Sequence, residues 1–335
     1  MSKSSLMYVC IFSLLISIFS FLNIIYSNYF NLYLNIDSFV YSLISSLIFG
    51  LCFLIKKKND FKITIYEKIT TVILGYLILP VFISIPFYFS IYNISFINAY
   101  FEAVSGFTST GFSVFDNIKH LDESLILWRS SSQWIGGLYF LFSIILLIDI
   151  FDESLKKSLT ELLSFNTSET FKQSFKVLIL YAILTLIIFI ILKFINLRTF
   201  DSFNFALTLI ASGGFLPTNN LEAVLNSDIK IIVFSLLTLV SFFSIFLSYN
   251  LFFLKQKNLN VFTEDYYLLI YLLFLIVIFF IFFNFNNYFS NIFFGLSSSV
   301  SNIGIYFDES YNKLDIIYLI LVIIGGSFFS TSSGL

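Results

Sequence analysis

Apolar runs long enough to cross a lipid bilayer constrain the fold of this chain more than any other feature. A transmembrane helix needs about 20 consecutive apolar residues. The runs are Leu6–Tyr26, Phe39–Ile55, Ile69–Ser90, Leu125–Ile150, Val177–Ile195, Ile229–Leu254, Tyr266–Phe283 and the shorter Leu314–Ile324. Only 11% of the residues are charged, whereas soluble domains carry about a quarter. The chain is therefore predicted to be an all-α integral membrane protein.

Between some of these runs lie pieces that are too short and too polar to cross a membrane. Phe101–Phe112 joins a short amphipathic segment to a cluster of Thr, Ser and Gly, and similar pieces occur at Asp201–Phe215 and Tyr288–Gly304. In a bilayer, irregular backbone is found only where protein or a water-filled cavity receives its polar groups. These pieces are predicted to enter the membrane part-way, each as a short helix followed by a turn of small residues.

The order apolar run, short helix, small-residue turn, apolar run occurs three times along the chain. Repetition on this scale predicts that each copy folds as one structural unit. The predicted organisation is an N-terminal two-helix region (residues 1–58) followed by three pore repeats, at residues 59–158, 159–258 and 259–335. The third repeat ends in a small-residue segment that would interrupt its second helix.

The basic residues predict the orientation of these units. If the short pieces do not cross, twelve of the 18 Lys and Arg residues fall on one side. They are Lys3, Lys56, Lys57, Lys58, Lys62, Lys68, Lys156, Lys157, Lys172, Lys176, Lys255 and Lys257. The positive-inside rule places that side, with the N-terminus, in the cytoplasm. The three repeats are then parallel, and their turns enter from the outer face.

The turns favour one kind of chemistry. A short helix that stops inside the membrane presents unpaired carbonyl groups and partial negative charge at its C-terminal end. The three turns contain no Asp or Glu, so a carboxylate cage of the calcium kind is excluded. Several turns around one axis could instead surround a dehydrated cation with backbone oxygens, and glycine would serve where the backbone needs a positive φ.

Some residues near the turns allow two interpretations from sequence. Glu102 is either a cation attractor at the outer mouth or an acid that complements a helix dipole. Arg129 either pairs with an acid near the turns or extends to the membrane interface. Asp201 is predicted to cap the second short helix, and Gly136 with Gly137 is predicted to be a close-packing site between helices.

The turn motifs resemble those of the Trk/Ktr/HKT cation-transporter superfamily. The segments that carry the resemblance are Phe101–Gly111 with Leu127–Gly137 for the first pore repeat, Ala211–Phe215 for the second, and Ser301–Gly304 with Ile324–Gly334 for the third. The two additional N-terminal helices favour the Trk-type membrane subunit. The superfamily arranges four such repeats around one pore, and the fourth repeat of this pseudo-fourfold architecture is missing here. The chain is expected to be truncated; the alternatives are that a separate chain supplies the fourth repeat or that the function has changed.

The resemblance implies potassium uptake across a bacterial plasma (inner) membrane. It implies a K+ filter of Ser109, Thr110, Gly111, Ser212, Gly213, Gly214, Asn302, Ile303 and Gly304. It implies an intramembrane gate of Gly325, Gly326, Ser327, Ser330, Thr331, Ser332, Ser333 and Gly334. Family members usually form homodimers and bind a cytosolic nucleotide-binding regulator subunit. No cofactor and no nucleic-acid partner are expected, and K+ is the transported ion.

Two other classes of function remain as alternatives. A secondary transporter of another cation such as Na+, or of a small solute, also uses broken helices, but it would favour inverted repeats and an intramembrane carboxylate. An intramembrane enzyme would need a catalytic His, a Ser/Lys pair or an Asp pair at depth, and His120 is the only histidine. No enzymatic activity is therefore expected. Cys10 and Cys52 could form a disulfide or a metal pair, but they are interpreted as buried, unreactive thiols.

Overall fold

The structure is a computed structural model that describes residues 3–54, 64–150, 170–248, 263–282, 289–305 and 315–332. The regular secondary structure of these ranges is helical. The prediction of an all-α protein is confirmed. Of the predicted gate residues, Ser333 and Gly334 lie outside the described residues, as do several of the lysines that predict the orientation, among them Lys56–Lys58.

The helices coincide with the predicted apolar runs and short pieces. They are α1 (Lys3–Tyr29), α2 (Ile36–Leu54), α3 (Ile65–Tyr88), α4 (Phe96–Phe107), α5 (Glu123–Leu146), α6 (Thr170–Phe194), α7 (Thr199–Ile210), α8 (Asp228–Thr238), α9 (Thr263–Phe282), α10 (Phe289–Val300) and α11 (Asp315–Ile324). Within the described ranges, α1, α2, α3 and α6 are each long and apolar enough to span a membrane. The chain is thus a multi-pass membrane protein.

The three short helices α4, α7 and α10 have the same length of 12 residues. The first begins after Ser95, whose Oγ accepts a hydrogen bond from the Asn98 amide at 3.3 Å. The second begins after Arg198, and Asp201 lies inside its first turn. The prediction that Asp201 is the N-cap is therefore wrong by a few residues, although an acid in the first turn still complements the helix dipole.

The second long helix of the middle repeat is interrupted where the sequence predicts one continuous run from Ile229 to Leu254. Helix α8 ends at Thr238, and helical backbone resumes only at residues 245–248. The intervening segment, Leu239–Ser244, contains neither Gly nor Pro, so no local signal marks the interruption. Tertiary hydrogen bonds to residues far along the chain stabilise it instead.

The chain forms two compact units, one of Met1–Asp152 with Phe215–Asn219 and one of Glu153–Gly214 with Asn220–Leu335. In the first unit, α5 is the central helix and almost all of its side chains are buried. Trp128 donates from Nε1 to the Ile83 carbonyl at 2.9 Å, so its indole N–H is satisfied inside the packed unit. Large apolar side chains of α1, such as Phe21, are half exposed, as expected for a surface that faces lipid.

In the second unit, α9, α10 and α11 share an apolar core with the interrupted segment that follows α8. The core residues are Leu239, Phe242, Leu272, Leu275, Phe279, Phe293, Leu296, Val300, Tyr318 and Leu321. The short helix α10 is buried along most of its length. This packing fixes the position of the turn that follows α10.

Candidate functional site

The three short helices end in the same backbone motif. In each repeat the second residue beyond the helix has left-handed backbone, with φ of 55° at Ser109, 53° at Ser212 and 62° at Asn302. The next amide donates to the carbonyl five residues earlier: Thr110 to Ser105 (2.9 Å), Gly213 to Thr208 (2.9 Å) and Ile303 to Ser298 (3.1 Å). This is the Schellman ending of a helix. Left-handed backbone costs an ordinary L-residue about 1–2 kcal/mol. Helices α1 and α6 end in the same motif, with left-handed backbone at Asn31 and Asn196.

The residues of the turns retain carbonyl groups that are available to a ligand. Within the described residues, the backbone carbonyls of Ser109–Gly111 and of Asn302–Gly304 accept no hydrogen bond. Gly111 and Gly304 have positive φ values of 83° and 72°, which Gly214 does not share. A Cβ built on Gly304 would meet no atom within 4 Å. The backbone conformation at Gly304, rather than a lack of space, therefore requires glycine.

In the second unit, the turns of the second and third repeats and the predicted gate segment form one hydrogen-bonded cluster. Its bonds run from Ser212 Oγ to the Ser301 carbonyl, from Asn302 Nδ2 to the Ser332 carbonyl (3.1 Å) and from Thr331 Oγ1 to the Ile210 carbonyl (2.7 Å). The last bond satisfies the C-terminal carbonyl of α7. Of the predicted gate residues, Ser332 thus bonds to the third filter turn, and Thr331 bonds to the end of the helix that precedes the second filter turn.

Substituting Thr331 should measure how much this cluster stabilises the protein. Thr331→Val keeps the shape of the side chain but leaves the buried Ile210 carbonyl without its donor, at a cost of about 1–3 kcal/mol. We expect the free energy of unfolding of the full protein in detergent to fall by this amount. Thr331→Ser keeps the hydroxyl and should retain most of the stability. Equal stability of the two variants would contradict the role of the bond.

The predicted gate segment follows α11 as non-helical backbone. Helix α11 ends at Ile324, and Gly325 has a φ of 63°. The segment then pairs with the interruption after α8 through three backbone hydrogen bonds: Ser327 N to Phe242 O (2.9 Å), Ile245 N to Phe329 O (3.1 Å) and Ser332 N to Ser241 O (3.2 Å). The two interruptions satisfy each other's backbone groups, which explains how both persist inside an apolar region.

In the first unit, a buried ion pair supports the chain just beyond the first turn. Arg129 Nε lies 2.7 Å from Glu102 Oε1, and neither side chain is more than 2% exposed. Glu102 Oε2 also accepts the Val114 amide at 2.8 Å, and Arg129 Nη2 donates to Ser113 Oγ at 2.9 Å. Arg129 is therefore a paired residue and does not extend to the interface. Glu102 is buried in this pair and is not free to attract ions at the surface.

The guanidinium of Arg129 also stacks on an aromatic ring that sequence reasoning did not single out. Its Cζ atom lies 4.1 Å from the centroid of the Phe215 ring, a cation–π distance. Phe215 directly follows Gly214 in the sequence. The buried Arg129 side chain thus contacts Phe215, the residue after the second turn, and Ser113, which lies just beyond the first turn. A single sequence gave no signal for this contact.

Gly136 packs against the end of the first short helix. A Cβ on Gly136 would lie 1.9 Å from the carbonyl oxygen of Phe107, the last residue of α4. The contact is with backbone, so no side-chain rearrangement could accommodate it. At Gly136 the structure has the predicted close-packing site between helices, and it lies directly before the turn Thr108–Gly111.

Charged ligands of the usual metal-binding kind are not assembled in the described ranges. No group of three or more His, Cys, Asp or Glu side chains there could hold a metal ion. Cys10 is buried and Cys52 is exposed, and both are free thiols. The oxygen atoms that the turns offer are backbone carbonyls and hydroxyls, which suit a weakly hydrated monovalent cation.

Comparison with known proteins identifies the fold. The potassium transporter TrkH of Vibrio parahaemolyticus superposes with a TM-score of 0.78 at 20% sequence identity, over 100% of this chain and 72% of that protein. The chain thus shares the fold of that transporter, as the resemblance predicts. No protein-family model matches the chain.

Three proteins also align with the chain in sequence. An uncharacterized cation transporter of Methanocaldococcus jannaschii is 28% identical over 254 residues, which are 72% of this chain and 51% of that protein. The Trk system potassium uptake protein TrkI of Halomonas elongata is 37% identical over 65 residues (19% and 13% of the two chains), and TrkG of Escherichia coli is 31% identical over 83 residues (24% and 17%). The aligned part spans about half the length of the first of these relatives, and less of the others.

Proposed function

We propose that this protein takes up potassium ions across the plasma membrane through a filter of backbone carbonyl groups. The observation that carries the proposal is that α4, α7 and α10 each end in a turn of small residues without Asp or Glu, and that in the first and third turns the carbonyl groups accept no hydrogen bond within the described residues. Each helix presents its negative C-terminal end to the turn that follows it. The turns add carbonyl and hydroxyl oxygens without a formal charge, which favours K+ over a strongly hydrated divalent ion.

The proposed filter and gate are the sets predicted from the sequence. The filter residues are Ser109, Thr110, Gly111, Ser212, Gly213, Gly214, Asn302, Ile303 and Gly304, and the gate is the segment from Gly325 to Gly334. Hydrogen bonds between Thr331 and Ile210 and between Asn302 and Ser332 support a gate that is coupled to the filter.

The cellular setting is part of the same proposal. We propose a bacterial plasma-membrane protein with a cytoplasmic N-terminus, which forms a homodimer and binds a cytosolic nucleotide-binding regulator. The names of the relatives, potassium uptake protein and cation transporter, support the substrate class. The function is transport of an ion and involves no enzymatic step.

Complementation of potassium uptake tests this function. The test expresses the full protein in bacterial cells that lack their own potassium uptake systems. We expect it to restore growth at low external K+. We also expect the cells to accumulate Rb+, which serves as the tracer for K+. Cells that carry the empty vector are the negative control. Accumulation of Na+ without Rb+, or no cation flux from well-folded protein, would overturn the proposal in favour of a transporter of another substrate.

A further inference from the structure

The first turn of α9 carries two consecutive acids that contact the two interrupted segments of the second unit. Asp265 is buried, and its two carboxylate oxygens accept the Ser244 amide at 2.8 Å and the Ser244 hydroxyl at 2.7 Å. Glu264 Oε1 accepts the Phe328 amide at 2.8 Å. Acids in a first turn commonly complement only the dipole of their own helix. These two instead receive backbone amides from other segments.

Each acid accepts a backbone amide from a different interruption. Ser244 ends the non-helical segment after α8, immediately before helical backbone resumes at residues 245–248. Phe328 lies inside the predicted gate segment, between Ser327 and Phe329, two of the three residues whose backbone pairs with the interruption after α8. The start of α9 therefore joins both segments, one through each carboxylate.

The docked arrangement leaves little room between the two segments. A Cβ on Gly326 would lie 2.4 Å from the Phe242 carbonyl oxygen. The rings of Phe246 and Phe329 stack with centroids 5.2 Å apart. A segment held this closely can move only if its backbone hydrogen bonds and its bond to Glu264 are released together.

We infer that Glu264 and Asp265 are positioning residues that latch the gate segment Gly325–Ser332 in its docked position. Glu264 holds the segment directly, and Asp265 fixes the backbone of Ser244 beside it. The inference rests on the proposed function, in which this segment gates the ion path. Hydrogen bonds from amides to ionised carboxylates are among the stronger ones, so loss of one should shift the equilibrium toward the undocked segment by about tenfold or more.

A cysteine-reactivity assay measures the latch without depending on transport. Ser330 is buried in the docked segment, so Ser330→Cys in a Cys10→Ser/Cys52→Ser background reports undocking by its rate of reaction with a membrane-permeant thiol reagent. We expect this rate in the full protein to rise about tenfold with Glu264→Ala and less with Glu264→Gln, which keeps a neutral acceptor. The matched control is Asp228→Asn, because Asp228 is also an acid in a first turn but bonds to Ser290.

A second assay tests whether the latch controls ion flow. It measures Rb+ uptake by the same variants in proteoliposomes that contain no regulator. We expect Glu264→Ala to raise uptake several-fold while the Rb+/Na+ ratio and the unfolding temperature stay close to those of the parent. A damaged fold would lower uptake, so a gain separates latching from a structural role. If thiol reactivity is equal in Glu264→Ala, Asp228→Asn and the parent, the latch is overturned. If thiol reactivity rises in Glu264→Ala but the parent protein transports no Rb+, the transport proposal fails. The bond between Glu264 and Phe328 then still latches the segment, but the segment does not gate K+.

Discussion

The Glu102→Gln variant is expected to lose about 3–5 kcal/mol of folding free energy, because it leaves the buried charge of Arg129 without a charged partner. Glu102 also accepts the Val114 amide, so the chain beyond the first turn should lose its position. We therefore expect Rb+ uptake by the full protein to fall to near background. Thermal and denaturant unfolding in detergent, together with uptake in proteoliposomes, measures both effects.

A double-mutant cycle separates the pair from other consequences of the substitution. Glu102→Gln/Arg129→Gln removes both charges, so it should be more stable than the sum of the single losses by about 1–3 kcal/mol. Glu222→Gln changes an exposed glutamate and should stay within about 0.5 kcal/mol of the parent. Strictly additive losses, or a Glu102→Gln protein as stable as the parent, would contradict a stabilising ion pair at this position.

Gly136→Ala is expected to reduce both the stability and the Rb+ uptake of the protein, with an effect second to that of Glu102→Gln. The added methyl would lie 1.9 Å from the Phe107 carbonyl oxygen and 2.5 Å from its carbonyl carbon, so α4 and α5 must separate. Overpacking of this kind costs about 1–3 kcal/mol. The displacement falls on the last turn of α4, directly before Thr108–Gly111, so Rb+ uptake should drop about tenfold or more, given that each 1.4 kcal/mol against the functional geometry is tenfold.

Ser131→Ala provides a matched control on the same buried helix. The Ser131 hydroxyl bonds only within α5, to the Leu127 carbonyl at 2.7 Å, and the substitution removes an atom rather than adding one. We expect Ser131→Ala to retain uptake. Normal uptake in Gly136→Ala would show that the end of α4 tolerates displacement, and the assignment of the first turn to the filter would then lose its support.

The helices could be predicted from the sequence because their signals are local. The length of an apolar run and the short polar pieces between runs predict α1 to α7 and α9 to α11 with useful accuracy, and Ser95 marks the start of α4. The left-handed residues were predicted less well. Glycine was expected there, yet Ser109, Ser212 and Asn302 occupy the first left-handed position of each turn, because the surrounding hydrogen bonds determine the backbone.

The contacts around the turns could not be predicted because their partners lie far apart in the sequence. Arg129 could be interpreted in two ways until the structure placed it beside Glu102 and Phe215. The interruption after α8 has no Gly or Pro, and it depends on Asp265 and on the backbone of Ser327 and Phe329. A single sequence carries no record of such pairings.

The central claim is that the backbone carbonyls of the three turns select the ion, and Gly304 tests it most directly. A Cβ at Gly304 meets no atom within 4 Å, so substitution acts through the backbone alone. Alanine disfavours the φ of 72° by about 1–2 kcal/mol, whereas asparagine tolerates left-handed backbone, as Asn302 already does. Gly111→Ser, at the equivalent position of the first repeat, should act like Gly304→Ala.

The decisive measurement is the ratio of Rb+ to Na+ uptake by the full protein in proteoliposomes, for the parent, Gly304→Ala and Gly304→Asn. We predict a ratio that falls about tenfold in Gly304→Ala, in line with 1–2 kcal/mol of backbone strain, and much less in Gly304→Asn, with similar unfolding temperatures. An unchanged ratio in a folded Gly304→Ala protein would contradict selection by the carbonyl groups of the turns.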